Sequence, residues 1–190
     1  MQYKIAVSGS ASDNCSTGAF KKSYQVGREI ARTGNVLVTG ATIGVPAWAT
    51  RGAKSAKGIS IGLSPAISRE AHIKTYRLPT KYMDLIIYTG FDYSGRNMLM
   101  TRSSDGVIVV CGRIGTLNEF TSAFEEGRVV GVLTGTGGIS EEIRQILKVS
   151  KRGQRYIVFS EDPVELVHMV IARLKEVGKI KHVPKRKESS

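Results

Sequence analysis

Seven short runs, "YKIAVSG", "NVLVTG", "ISIGLS", "DLIIYTG", "GVIVVCG", "VVGVLTG" and "YIVFS", are spread along the chain, and most are apolar without a two-residue alternation. A strand with one wet face alternates apolar and polar residues, whereas a strand covered on both faces is a continuous apolar run. Helical patterning separates most of the runs, near residues 17–33, 46–56, 96–103, 117–126, 140–150 and 163–177. Strands and helices in alternation build a parallel sheet rather than hairpins. The fold class expected is α/β: a doubly wound, mainly parallel sheet of about seven strands with helices on both faces. The last helix has a marked start at "EDPVE", with Asp162 as cap, Pro163 at the first helical position and Glu165 completing the cap. Residues 64–82 lack periodicity and read as a long loop with a short helix. No internal repeat or low-complexity segment is visible.

A chain of 190 residues with 41% hydrophobic content suits one domain able to bury its own core. We assign that domain to residues 1–177 and a basic, disordered tail to residues 178–190. The net charge is +12; the tail holds five basic residues and one acid, so residues 1–177 keep +8. Such a field draws phosphates, on a small nucleotide or on a nucleic acid. Cys15 and Cys111 are the only cysteines, too few and too far apart in sequence for a disulfide framework or a zinc site, which fits a reducing compartment. The chain opens directly on a strand-like run, and no segment approaches the length of a membrane span. The expected location is the cytoplasm, in soluble form.

Glycine follows the strands repeatedly. "SGSAS" closes the first, "TGATIG" the second, "YTGFDYSG" the fourth, "CGRIGT" the fifth and "TGTGG" the sixth. In a parallel sheet these loops share the carboxyl edge, where ligands bind and where N–H groups at the following helix close around an anion. Candidate phosphate- or nucleotide-binding residues are Ser8, Gly9, Ser10, Gly40, Thr42, Gly44, Gly112, Gly115 and Thr116. Neither GxGxxG after the first strand nor GxxxxGK[ST] occurs, which disfavours ordinary dinucleotide binding and P-loop hydrolysis.

Two charged residues converge on the same edge. Arg96 begins a helix after the fourth strand, an unfavourable place for a cation unless an anion faces it. Glu119 lies near the start of the helix after the fifth strand. By local pattern alone "TLNE" is a capping box, with Thr116 as cap and Glu119 folding back on its N–H.

"SGRNMLMTRSSDGVIVVCGRIGTLNEF", residues 94–120, resembles the signature of the LOG-type phosphoribohydrolases, also called lysine decarboxylase-like, in which an arginine-led helix precedes PGGxGTxxE. "TGATIGVPAWATRGAKSAKGISIGLSP", residues 39–65, is similar to the family's second glycine loop, helix and third strand. The wording is closest to the family's uncharacterised relatives. The resemblance implies a Rossmann-like fold, a homo-oligomer (dimer or tetramer) and a site for a nucleoside 5′-monophosphate, with catalytic roles for Arg96 and Glu119. Where the motif has PGG this chain has Cys111, Gly112 and Arg113. Arg113 either adds a cation to the phosphate or fills its space. Related proteins include molybdenum-cofactor carriers and the DNA-processing protein DprA.

The reading that follows is a binder of a nucleotide or phosphate-bearing cofactor, with phosphoribohydrolase activity as its catalytic form. The alternatives are a non-catalytic cofactor carrier and, ranked below it, DprA-like binding of single-stranded DNA, because no basic and aromatic stripe interleaves. No membrane partner, metal or further cofactor is expected: His72, His168 and His182 show no metal spacing. Cys111, with no histidine near it in sequence, fits a small buried residue better than a nucleophile. Met98 and Met100 fit core packing or subunit contact better than a cofactor box, and Trp48 fits packing better than base stacking.

Overall fold

The computed structural model describes residues 2–11, 15–16, 18–154 and 156–181. The expected tail from residue 182 onward, His182 included, lies outside them. All seven runs are strands: β1 (Lys4–Gly9), β2 (Val36–Thr39), β3 (Ser60–Ser64), β4 (Leu85–Tyr88), β5 (Gly106–Val110), β6 (Val129–Leu133) and β7 (Ile157–Ser160). They form one sheet in the order β4-β3-β2-β1-β5-β6-β7. Every pairing is parallel, so the sheet is wholly rather than mainly so.

The helices are α1 (Ala19–Arg32), α2 (Val45–Ser55), α3 (Arg69–Lys74), α4 (Asp92–Ser103), α5 (Ile114–Glu125), α6 (Ile139–Val149) and α7 (Pro163–Lys181). Their layering explains the unbroken apolar runs. Ile5, Val7, Ile108 and Val110 pack into one core with residues of α1, α2 and α7. Ala6, Val107 and Val109 point the other way, into a second core with Met100, Phe120 and Ile143 from α4, α5 and α6. Alternate side chains on a strand face opposite ways, and here neither face is wet, so apolar residues occupy consecutive positions. The edge strand β4 departs from this, with Leu85 and Ile87 exposed.

The α7 start is capped by Asp162, whose Oδ1 accepts from the Val164 and Glu165 N–H groups at 2.9 and 2.8 Å. Glu165 does not return to the Asp162 N–H. Ser160 Oγ takes that N–H at 3.0 Å and itself donates to Glu165 at 2.5 Å. Helix α7 runs to Lys181, beyond the domain limit placed at residue 177.

The chain winds outward from β1 to β4, then returns to the far side of β1 for β5 to β7. The strand order thus reverses between β1 and β5, where the loops leaving the two strands diverge and open a crevice.

Candidate functional site

That crevice is a cavity of about 510 Å³ at the carboxyl edge. Its walls come from six places in the chain: the ends of β1 and β2, the start of α2, the β3–β4 connection, α4, and the start of α5. Of the expected residues, Ser8, Gly9, Ser10, Gly40, Thr42, Arg96, Arg113, Gly115, Thr116 and Glu119 line it. Gly44 and Gly112 do not, and their reasons are structural. A Cβ on Gly44 would lie 2.3 Å from the Ser10 carbonyl, so this glycine lets the β2 loop pass against the β1 loop. Gly112 has φ +100° and turns the chain out of β5, while its carbonyl accepts the Ile139 N–H at 3.0 Å.

Arg96 and Glu119 form the floor. Arg96 Nη1 donates to Glu119 Oε1 at 2.9 Å, with the two side chains 5% and 8% exposed. The other carboxylate oxygen accepts from Ser8 Oγ on β1. Gly40 makes this geometry possible: a Cβ there would come within 2.1 Å of Arg96 Nη1, so the guanidinium lies flat on the end of β2. Arg96 Nε is buried and has no hydrogen-bond partner. Burial pushes the Glu119 carboxyl above the ordinary carboxylate range, and the Arg96 charge and the Ser8 hydrogen bond oppose that rise.

The capping box expected at Thr116 does not form. Helix α5 begins earlier, with Arg113 in the cap position and no side chain capping it. Thr116 is already inside the helix, and Glu119 faces β1 and α4. The first helical bond shown, Leu117 N–H to the Arg113 carbonyl at 2.9 Å, leaves the N–H groups of the first turn without intrahelical acceptors. They open beside Gly115, around which a Cβ would find nothing within 4 Å. Arg96 also sits differently from expectation. Because α4 starts at Asp92, Arg96 lies past its first turn, and the helix end no longer opposes its charge.

Several lining residues carry no sequence signal. Tyr76, Arg77 and Leu78 come from the aperiodic β3–β4 connection, and Tyr93 from the first turn of α4. Tyr76 and Tyr93 meet edge to face at 5.8 Å, and the Tyr76 hydroxyl donates to Asp92. Arg77 and Asp92 hold left-handed backbone, φ 53° and 50°, a strained state for residues other than glycine. His72 anchors this wall, its ring within 2.8 Å of Ser64 Oγ and 3.0 Å of the Pro79 carbonyl. Asn97, buried beside Arg96, donates to Asn118 at 3.0 Å; "SGRN" is the motif that contains it. Trp48 is elsewhere, stacked on Phe20 and under Arg51.

The cysteines correct an expectation. Separated by 96 residues, Cys15 and Cys111 are joined in a disulfide with Cα atoms 5.8 Å apart. The fold brings the β1–α1 loop and the end of β5 together, so distance in sequence excluded nothing. Among the described residues no helix is long and apolar enough to cross a membrane.

A family model for the SLOG cluster4 family matches residues 2–167. The chain belongs to the SLOG cluster4 family. An uncharacterized protein of Archaeoglobus fulgidus is 32% identical over 119 residues, 63% of this chain and 73% of that one. The crystal structure of TM1055 superposes with a TM-score of 0.76 at 25% identity, covering 90% of this SLOG chain and 99% of that one. The molybdenum cofactor binding protein of Rippkaea orientalis gives 0.72 at 27%, covering 90% and 97%. DprA of Streptococcus pneumoniae, at 0.63 and 23% over 86% of this chain and 60% of that one, shares the fold. The PGG element is absent, its place held by Cys111, Gly112 and Arg113.

Proposed function

We propose that the cavity binds a nucleoside 5′-monophosphate or a related phosphate ester, and that Arg96 and Glu119 act on the glycosidic bond when the ligand carries one, as in the LOG-type enzymes. The observation that carries this reading is the buried Arg96–Glu119 pair, set in the floor of a cavity into which the uncapped start of α5 opens. The phosphate sits against the first-turn N–H groups of α5, where the helix dipole favours an anion. Arg77, Arg96 and Arg113 against one carboxylate give the cavity a positive lining. The base lies toward Tyr76 and Tyr93. These residues flank β3 and β4, which lie three and four strand spacings of about 4.8 Å, or roughly 14 and 19 Å, from β5. Cleavage develops positive charge on the ribose, which the Glu119 carboxylate stabilises, while Arg96 holds that carboxylate in place.

A non-reacting carrier is the second reading, favoured by the occupation of both Glu119 oxygens, one by Arg96 and the other by Ser8. Incubation with a panel of nucleoside monophosphates, followed by chromatography, separates the two. Base release that Glu119→Ala abolishes in a folded protein supports hydrolysis. Calorimetric binding of a monophosphate or a pterin phosphate without release moves the protein to the carrier class. Binding only to single-stranded DNA, falling steeply with salt, would replace both. We also read the exposed apolar residues Phe91, Met98, Leu99 and Ile114, on or beside α4 and α5, as the face of a homo-oligomer, which light scattering tests.

A further inference from the structure

We propose that Cys15 and Cys111 form a thiol–disulfide switch that sets the order of the cavity's anion-binding loops, and so its affinity. The bond stands at the root of both loops. Ser10 and Ala11, which line the cavity, precede Cys15, and Arg113, Gly115 and Thr116 follow Cys111. Cys111 is fully buried with φ +54°, and with Gly112 it makes the turn that aims α5 at the cavity. Its position is fixed without the disulfide: its N–H donates to Thr136 Oγ1 at 2.8 Å, and its carbonyl accepts the Ser140 N–H at 3.1 Å. Cys15 is only partly buried. Beyond the sulfur bridge, its neighbour Ser16 is tied to the same β6–α6 connection by an N–H bond to the Thr136 carbonyl at 3.0 Å and a weaker hydroxyl bond to Gly135 at 3.3 Å.

The asymmetry defines what reduction does. A thiolate of a small dithiol attacks the sulfur of Cys15, the less buried of the two residues. The Cys15–Cys111 bond breaks and Cys111 leaves as thiolate, into the positive field at the start of α5 beside Arg113. The second thiol of the reductant, as thiolate, then attacks its own sulfur in the mixed disulfide, and Cys15 leaves. Two cysteine thiols and one cyclic disulfide result, the protons of the dithiol passing to the cysteines. The Cys111 turn remains held by Thr136 and Ser140, while the β1 loop loses its covalent tether to the α5 loop. Ordering that loop then becomes part of the cost of binding. A single bond between two ligand-binding loops, in a chain that has no other cysteine, has the form of a redox sensor rather than of a stabilising framework.

The test uses the full chain, oxidised and after dithiothreitol. Iodoacetamide labelling in denaturant, read by intact mass, should give no adduct for the oxidised protein and two after reduction. Hydrogen exchange over residues 8–11 should accelerate on reduction by about tenfold, with far-UV circular dichroism unchanged, and Cys15→Ala should match the reduced protein with or without dithiothreitol. With AMP as probe, affinity should fall by about tenfold on reduction. Labelling of both cysteines without reductant, or unchanged exchange, overturns the switch, as does AMP affinity that is measurable and indifferent to reduction. The ligand enters only through the function proposed above. Should AMP bind in neither state while exchange still responds, the ligand reading fails and control of loop order stands.

Discussion

Arg96 Nη1 and Glu119 Oε1 stand 2.9 Å apart on two different helices, both side chains almost wholly withdrawn from water. Removing one member of such a pair leaves the other charge buried and alone, which costs about 3–5 kcal/mol. Arg96→Ala should lower the unfolding free energy by about that amount in urea titration. Replacing both by apolar residues of similar volume, Arg96→Met with Glu119→Leu, should cost far less, although it ends any base release.

Two glutamates should give opposite pH slopes. Glu119 has its carboxyl raised by burial, so the folded state holds that proton more tightly than the unfolded chain does. Its contribution is greatest below the unfolded value near about 4.3 and is lost as pH rises through the higher folded value. Glu141 is lowered: partial burial works to raise it, but N–H groups of the β6–α6 loop, those of Gly137 and Thr136 at 3.0 Å among them, outweigh this. Its contribution is present above about 4.3 and disappears as pH falls through the folded value. Denaturation of Glu119→Gln and Glu141→Gln across pH 3–7 should flatten opposite limbs of the wild-type profile.

Gly40→Ala tests the contact between the end of β2 and the Arg96–Glu119 pair. The new methyl would meet the end of the Arg96 side chain, which can swing away, rather than backbone. Moving Arg96 off Glu119 leaves the carboxylate buried without its partner, so stability should fall by up to about 3–5 kcal/mol, and ligand affinity should fall with it. Calorimetry beside thermal denaturation reads the two effects separately.

Tyr93→Ala should weaken a ligand bearing a planar base by about 1–3 kcal/mol, the usual worth of one stacking contact, and leave binding of inorganic phosphate unchanged. Equal losses for the two probes would show that Tyr93 shapes the wall without touching the base.

The strands were legible because a sheet covered on both faces writes itself as unbroken apolar runs. The meeting of Arg96 with Glu119 followed from their places after β4 and β5 in a parallel sheet. The capping box was misleading for a physical reason: Thr116 and Glu119 keep the same spacing inside a helix that starts at Ile114, and burial against Ser8 and Arg96 decides where the carboxylate points. Tyr76, Arg77 and Leu78 were hidden because an irregular connection has no period to read. The Cys15–Cys111 bond depends on two loops meeting above β1 and β5, which no local pattern encodes.

The central place of β1 has a consequence for how the molecule assembles. Ile5 pairs with Gly106 across a separation of 101 residues, whereas Ile5 and Leu37 pair across 32. Closing the longer span costs more chain entropy and slows folding. The half-sheet β1 to β4 can therefore form before the seam between β1 and β5 is sealed. The cavity lies along that seam, so a ligand that touches both sides acts as a latch on the last step of folding. It should raise the unfolding temperature, and go on raising it with the logarithm of free ligand concentration after the site is full.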